Sequence, residues 1–177
     1  MRHPFELIPE ERRTPILWSL LALAVASGAA AAVADKRLRT GAAPWGIVSF
    51  ELAGTRERVH RILESWDEDA RVSAAFSLGI DYLLIMAYAN GLALACVMGA
   101  DALKERGRAG AGLGAPLAWG QWLAGLLDAT ENAALLKILR GSDQALWPAL
   151  ARRCAQVKFG LVGAGVVYAL LGYHARR

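Results

Sequence analysis

One apolar stretch of the sequence, residues 116–139, carries strongly polar side chains in its middle. It reads PLAWGQWLAGLLDATENAALLKIL and includes Gln121, Asp128, Glu131 and Asn132. A helix needs about 20 apolar residues to cross a bilayer, because each residue adds ~1.5 Å. At about 100° per residue, Gln121, Asp128 and Asn132 fall on one stripe, with Glu131 beside it. We therefore expect a membrane-spanning helix whose polar face lines the interior of a helical bundle.

The composition also favours a membrane protein. Hydrophobic residues make up 55% of the 177 residues, which is more than the roughly 45–50% of an ordinary soluble domain. Charged residues gather in blocks between the apolar runs, as is typical of membrane proteins. The net charge of +4 is explained by Arg and Lys beside these runs. No dense basic patch with interleaved aromatic residues is present, so no nucleic acid is expected as a partner.

Three other apolar runs are long enough for a bilayer crossing, at about residues 15–34, 71–99 and 155–173. About residues 47–66 form an amphipathic pattern, in which a charged face opposes an apolar one, and this is typical of a helix at the membrane interface. We predict an all-α fold with one membrane domain over residues 1–177. Its architecture would be an integral membrane four-helix bundle with an additional amphipathic interfacial helix, crossing the cell membrane several times.

Details of the first and last runs bear on this prediction. Residues 32–34, Ala-Val-Ala, resemble a signal-peptide cleavage site, but the head of the chain is acidic as well as basic. We therefore favour an uncleaved first helix. In the last run, Gly160, Gly163 and Gly165 have spacings suited to close helix contact, and Lys158 near its start is expected to reach towards the membrane surface.

Four acidic residues lie on apolar helix faces, and we name them as candidate catalytic residues: Glu51, Asp81, Asp128 and Glu131. A charge at the bilayer centre costs roughly 2.5–3.5 kcal/mol on insertion scales, so each acid needs a partner, water or a function. Neighbouring carboxylates in a dry site share a proton, which suits acid/base work. The candidate ligand-binding residues are Gln121, Asn132, Tyr88 and Trp122.

The other motifs predict neither a metal site nor a cofactor. Glu57 and His60 form one E-x-x-H pattern, whereas a carboxylate-bridged di-iron bundle needs two. Asp128 and Glu131 outline an acidic pair for Mg²⁺-diphosphate, but the denser acidic motif of membrane prenyltransferases is missing. A divalent cation at that pair is therefore only an alternative.

Three short motifs resemble a group of small uncharacterised four-span bacterial integral membrane proteins. They are Phe-Glu-Leu-Ala at residues 50–53, Ile-Asp-Tyr at residues 80–82 and Asp-Ala-Thr-Glu-Asn-Ala-Ala-Leu-Leu at residues 128–136. The resemblance covers roughly residues 45–140. It implies a four-span fold in which the acids belong together, and it implies no activity.

We expect an intramembrane carboxylate-lined pocket that binds, carries or converts a lipophilic small molecule by acid/base chemistry. One alternative is a non-catalytic membrane helper or oligomer subunit, and another is a proton or cation pathway. No carboxylate is accompanied by a definite nucleophile or metal set, so the sequence leaves open whether the chain is an enzyme. The expected partners are the lipid bilayer, a lipophilic ligand and, as an alternative, further copies of the chain in a homo-oligomer.

Overall fold

The computed structural model describes residues 2–176, the last of them by its backbone alone, and this part of the chain is helical without a β-strand. The α-helices are α1 (Glu10–Asp35), α2 (Ile47–Glu51), α3 (Arg56–Glu64), α4 (Glu68–Glu105), α5 (Gly114–Leu139) and α6 (Leu146–Arg176). Short 3-10 turns cover Pro4–Leu7, Lys36–Leu38 and Ala111–Leu113. The prediction of an all-α fold is confirmed.

Three helical segments are long and apolar enough to cross a membrane: Glu10–Leu38, Glu68–Glu105 and Leu146–Ala175. They contain the predicted runs at 15–34, 71–99 and 155–173. The fourth predicted span, at about 116–139, forms α5 but is not among these segments. Its four polar side chains lower its mean hydropathy, because each replaces an apolar residue within the helix.

The amphipathic stretch predicted over residues 47–66 forms two helices rather than one. Gly54 adopts a φ of +72° between α2 and α3, a conformation that side chains other than glycine rarely adopt. Thr55 then begins α3 as its N-cap, and its side chain accepts a hydrogen bond from a backbone N–H of the first turn. Val59 and Ile62 are buried in a protein core. The apolar face of α3 contacts protein and its charged face is exposed. The location of this stretch at the membrane interface stays a prediction.

The chain divides into two compact units, and each of the four long helices contributes residues to both. Unit 1 comprises Met1–Ala24, Met86–Leu126 and Lys158–Arg177. Unit 2 comprises Val25–Ile85 and Leu127–Val157.

The core of unit 2 is organised around two aromatic rings. Phe50 and Trp66 meet edge to face with their ring centroids 5.2 Å apart, an arrangement that aromatic pairs prefer. The indole Nε1–H of Trp66 donates to the Leu38 carbonyl at 2.9 Å, so this buried donor is satisfied. Leu78 of α4 and Leu135 of α5 belong to the same core. The short helices α2 and α3 are thereby held against α4 and α5.

Small residues dominate the core of unit 1. Ala93 and Cys96 of α4, Ala118 of α5 and Tyr168 of α6 pack together there. The Tyr168 hydroxyl donates to the Gly110 carbonyl at 2.9 Å. Small side chains let helix backbones approach closely. The helices of unit 1 are therefore held together by close van der Waals contact between their backbones and small side chains.

The structure corrects two expectations for the last run. A Cβ atom built on Gly160 or Gly163 would meet nothing within 4 Å, so these glycines make no close helix contact. Gly165 does, because a Cβ there would lie 2.4 Å from the Gln121 amide nitrogen. Lys158 is buried within α6, and its ammonium group lies 5.0 Å from the centre of the Phe159 ring. It therefore does not reach out of the helix end as predicted.

Large apolar side chains cover much of the outer surface. On α1, Trp18, Val25 and Val33 are about two-thirds exposed. Only 6% of the most apolar 18 residues of the segment Glu10–Leu38 is buried. Phe76 on α4 and Leu171 on α6 are more than half exposed. Soluble monomers rarely expose contiguous apolar patches larger than a few hundred Å². The long helices α1, α4 and α6 therefore carry large apolar side chains on exposed faces.

Candidate functional site

All four predicted acids lie in unit 2, and α5 places two of them in the interior. Glu131 is 0% and Asp128 is 4% exposed, and the amide of Asn132 is equally buried. These positions share a face because residues three and four apart are neighbours on a helix. The sequence-based prediction that this polar stripe faces inward is confirmed for these residues.

A direct hydrogen bond joins this stripe to α4. The Asn132 side-chain Nδ2–H donates to the Asp81 carboxylate Oδ2 at 2.7 Å. The hydroxyl of the next residue, Tyr82, donates to the Ala129 carbonyl at 3.4 Å. Both bonds run between a side chain of one helix and a group of the other. The two bonds therefore set the positions of α4 and α5 against each other at Asp81.

Glu51 borders the same core from α2. It is the last residue of that helix and is 9% exposed, and the preceding residue, Phe50, lies in the cluster that contains Leu78 and Leu135. Asp81 follows Leu78 by about one helical turn, and the two α5 acids precede Leu135 by one to two turns. Each acid also interacts with other groups of the protein. In sequence, each acid thus lies within two helical turns of a residue of the unit 2 core.

The predicted ligand-binding residues divide between the two units. Asn132 contacts an acid, whereas Gln121, Tyr88 and Trp122 belong to unit 1. The Gln121 side chain is fully buried and donates to the Leu161 carbonyl at 2.9 Å. The indole of Trp122 donates to the Asn90 side-chain oxygen at 3.2 Å, and Tyr88 is half-buried. In unit 1, Gln121 thus joins α5 to α6, and Trp122 joins α5 to α4.

Sequence reasoning overlooked a buried histidine in unit 1. His3 is 0% exposed, and its ring centroid lies 5.0 Å from those of Phe5 and Trp119 and 4.5 Å from that of Trp122. Its Nδ1 accepts the Phe5 backbone N–H at 3.2 Å, while its own backbone N–H donates to the Glu6 carboxylate at 2.8 Å. This is a capping box on the first 3-10 turn. The local signal was present, since a proline follows the cap and a glutamate stands three residues after it.

Burial controls the protonation of His3. Removal of the ring from water lowers the pKa of His3, and the negative charge of Glu6 opposes this only in part. The neutral ring is the form that can accept the Phe5 N–H at Nδ1. The imidazole is therefore held uncharged by the aromatic rings around it.

Arg13, in the first turns of α1, binds the segment that contains His3 and also binds α4. Its Nε–H donates to the Ile8 carbonyl at 2.9 Å and its Nη2 to the Glu6 carbonyl at 3.1 Å. Its Nη1 forms an ion pair with Asp101 near the end of α4. One nearly buried guanidinium thus ties the start of the chain to α4.

None of the four acids lines either of two grooves in unit 2. In unit 2, one groove of about 290 Å³ is lined by Arg56, His60 and Asp143, and another of about 530 Å³ by Trp45 and Arg58 among others. Between residues 2 and 176, no group of three or more His, Cys, Asp or Glu side chains is arranged to hold a metal ion. Glu51, Asp128 and Glu131 are therefore buried, and Asp81 is half-buried, without any of them lining one of these grooves.

Comparisons with known proteins add no family. The chain matches no protein-family model, and neither the curated proteins nor the solved structures gave a match. The resemblance to small four-span bacterial membrane proteins thus stays a prediction from short motifs. The fold and the site define an all-helical protein with three helices able to cross a membrane and, in unit 2, three buried acids and one half-buried acid.

Proposed function

We propose that the chain is a multi-pass integral protein of the cell membrane and that Glu51, Asp81, Asp128 and Glu131 form one acidic cluster. This cluster binds a lipophilic small molecule through a cationic or hydrogen-bond-donating group of that molecule. The membrane placement is supported by the exposed apolar side chains of α1, α4 and α6, which water does not solvate well. In a bilayer the same side chains would meet lipid tails, and no penalty would arise.

The observation that carries the proposal is the hydrogen bond between Asn132 and Asp81, made beside the buried acids Asp128 and Glu131. A carboxylate accepts several hydrogen bonds and donates none when ionised. A cluster of such groups in an apolar interior attracts a molecule that brings a donor or a positive charge. An amine, a protonated nitrogen or a hydroxyl on an apolar body has this chemistry.

The surroundings of Asp81 supply an access route. Asp81 is half-buried, and the next two residues on α4, Tyr82 and Leu83, are exposed on the apolar outer surface. A molecule dissolved in the bilayer would reach the carboxylate sideways, with its polar end at Asp81 and its apolar body against these side chains. Because Asp128 and Glu131 lie farther inside, they would be the groups that exchange a proton with a bound molecule, if conversion follows binding.

Binding of a simple hydrophobic amine tests the proposal. The full-length protein in nonionic detergent would be titrated with dodecylamine and, separately, with lauric acid. Dodecylamine should raise the thermal unfolding temperature, because a ligand that binds only the folded state stabilises it, and lauric acid should not. Asp81→Asn and Glu131→Gln should stay helical by circular dichroism and bind dodecylamine about tenfold more weakly or worse, as expected when one charge partner is lost.

Asp69→Asn is the matched control. Asp69 also lies on α4 in unit 2, but it is exposed and forms a surface ion pair with Arg37. This substitution should leave amine binding unchanged. The proposal is wrong if Asp81→Asn binds dodecylamine like the wild type, or if Asp69→Asn weakens binding equally. Unfolding of both Asp81→Asn and Glu131→Gln would instead assign the acids to the structural role of a membrane helper.

A proton pathway is the second candidate, and the burial of Asp128 and Glu131 one turn apart on α5 favours it. Closely spaced carboxylates can pass a proton between them. Proteoliposomes with an imposed pH gradient would then lose that gradient faster with wild-type protein than with Asp128→Asn. No difference between the two proteins would remove this candidate.

A further inference from the structure

A second site is suggested by the groove of about 530 Å³ in unit 2. One wall is the exposed side of α3, with Arg58 and Arg61, and the other is formed by the turn before α2 and by α2 itself, with Trp45, Ser49 and Leu52. Both arginine side chains are exposed. Two arginines one helical turn apart and Trp45 therefore line the same open groove.

The charge of this groove distinguishes it from the other cavities. Its charged lining consists of the two arginines alone. The neighbouring groove holds Arg56 together with Asp143, which form an ion pair, and a groove in unit 1 mixes Lys104 with Asp101. Over residues 2–176, neither Arg58 nor Arg61 has a carboxylate within salt-bridge distance, and the charge of Arg61 acts on Glu57 of the same helix more weakly than a contact would. Charge complementarity selects an anion for this groove.

A hydroxyl adds a directed donor to the two guanidinium groups. The Ser49 Oγ accepts the Trp45 backbone N–H at 3.0 Å, which leaves its own proton to donate elsewhere. Arginine presents its N–H groups as a planar fork that matches phosphate oxygens. The donors along the groove are thus those that bind a phosphate.

The remaining lining is apolar and suits the edge of a bilayer. The Trp45 side chain is 68% exposed, and tryptophan is enriched at the headgroup level of membranes. The groove belongs to the stretch of chain between two segments that are able to cross a membrane, Glu10–Leu38 and Glu68–Glu105. A linker of this kind lies at the membrane surface when its two flanking helices span.

We infer that this groove binds the headgroup of an anionic phospholipid. The phosphate lies against Arg58, Arg61 and Ser49, and the glycerol end of the acyl chains lies along Trp45 and Leu52. This inference rests on the membrane placement proposed above, and it does not depend on the acidic cluster. Juxtamembrane arginines are attracted to anionic lipid in the same way in other membrane proteins.

The test uses short-chain soluble lipids and the full-length protein in nonionic detergent, followed by isothermal titration calorimetry. Dihexanoylphosphatidylglycerol should bind at least about tenfold more tightly than dihexanoylphosphatidylcholine, because two arginine contacts favour the net negative lipid. The double variant Arg58→Gln/Arg61→Gln should lose this preference while keeping its helical circular dichroism. Arg56→Gln removes the same charge from the same helix but lines the other groove, and it should bind like the wild type.

Three results would overturn the inference. They are equal binding of the two lipids by the wild type, an unchanged preference in the double variant, and an equal loss in Arg56→Gln. Inorganic phosphate is titrated as a further arm, and displacement of the lipid at equal concentration would assign the groove to free phosphate instead. Asp81→Asn should bind phosphatidylglycerol normally, so failure of the acidic site and failure of this groove are told apart.

Discussion

The backbones of α6 and α4 touch at Gly172 and Gly99: a Cβ atom built on Gly172 would lie 2.3 Å from the Gly99 Cα. Real Cβ atoms do not approach another backbone this closely. Gly172→Ala should therefore force the two helices apart and lower the free energy of unfolding by about 1–3 kcal/mol, the usual cost of overpacking. Denaturant titration in detergent micelles measures this change.

Gly163→Ala on the same helix provides the comparison. A Cβ at Gly163 would meet nothing within 4 Å, so this substitution should be neutral or stabilise α6 by up to about 1 kcal/mol through helix propensity. Equal effects of the two substitutions would show that the contact with Gly99 is unimportant for stability.

Asn132→Ala should destabilise unit 2 by about 1–3 kcal/mol, because it removes a hydrogen-bond donor from a carboxylate. The double variant with Asp81→Asn should lose less than the sum of the two single changes, since the two side chains contact each other. Chemical denaturation of the four proteins completes the cycle. Gln144→Ala removes an exposed amide from the same unit and should have little effect; strict additivity of Asn132→Ala and Asp81→Asn would contradict the prediction.

The His3 capping box should open as the pH falls. The pKa of His3 is lowered from its ordinary value of 6.5 by burial, so its stabilising contribution is complete above that value and is lost as the pH falls through the lowered pKa. A proton on Nδ1 abolishes the hydrogen bond from Phe5. Glu6, Arg13 and Asp101 are the charged groups joined to this segment. The protection factor of the first 3-10 turn against amide hydrogen exchange, which corrects for the intrinsic exchange rate at each pH, should fall at the acidic end of a series between about pH 8 and 5.

His3→Asn separates the cap from the titration. An asparagine side chain can accept the same backbone N–H but does not titrate in this range. Exchange of the first turn in His3→Asn should therefore lack the acid-dependent step. The same step in both proteins would assign it to another group.

Thr55→Ala should weaken α3 by about 0.5–2 kcal/mol, because the threonine side chain caps the helix N-terminus. Hydrogen bonds from its own backbone N–H and from Thr55 lower the pKa of Glu57. The substitution should therefore also raise that pKa towards its ordinary value, which a titration by nuclear magnetic resonance would follow. Thr55→Ser keeps the hydroxyl and should preserve both properties. A normal Glu57 pKa in the wild type would contradict the assignment.

The periodicity of the sequence was sufficient to predict the long helices and the buried face of α5. Asp128, Glu131 and Asn132 repeat at helical spacing, and tertiary packing places them as that spacing implies. The periodicity of the sequence could not predict that the apolar face of α3 is covered by protein. Val59 and Ile62 have the same pattern whether they contact lipid or a protein core, and only the position of Trp66 and its neighbours decides between the two.

Long-range contacts explain the other differences. His3 is buried because two tryptophans of α5 enclose it. The local pattern of residues 1–13 predicts the cap but not this long-range packing. Among the glycines of α6, Gly160 and Gly172 look alike in the sequence, yet only the second meets a neighbouring backbone. The bond between Asp81 and Asn132 joins residues 51 positions apart, which helical periodicity alone does not pair.

The ion pair between Arg13 and Asp101 has a consequence for membrane topology. It brings the beginning of α1 to the end of α4, so these two points share one side of any bilayer that the helices cross. The stretch of chain between them must then pass through that bilayer an even number of times. One accessibility reporter, attached at either point, would reveal the sidedness of both.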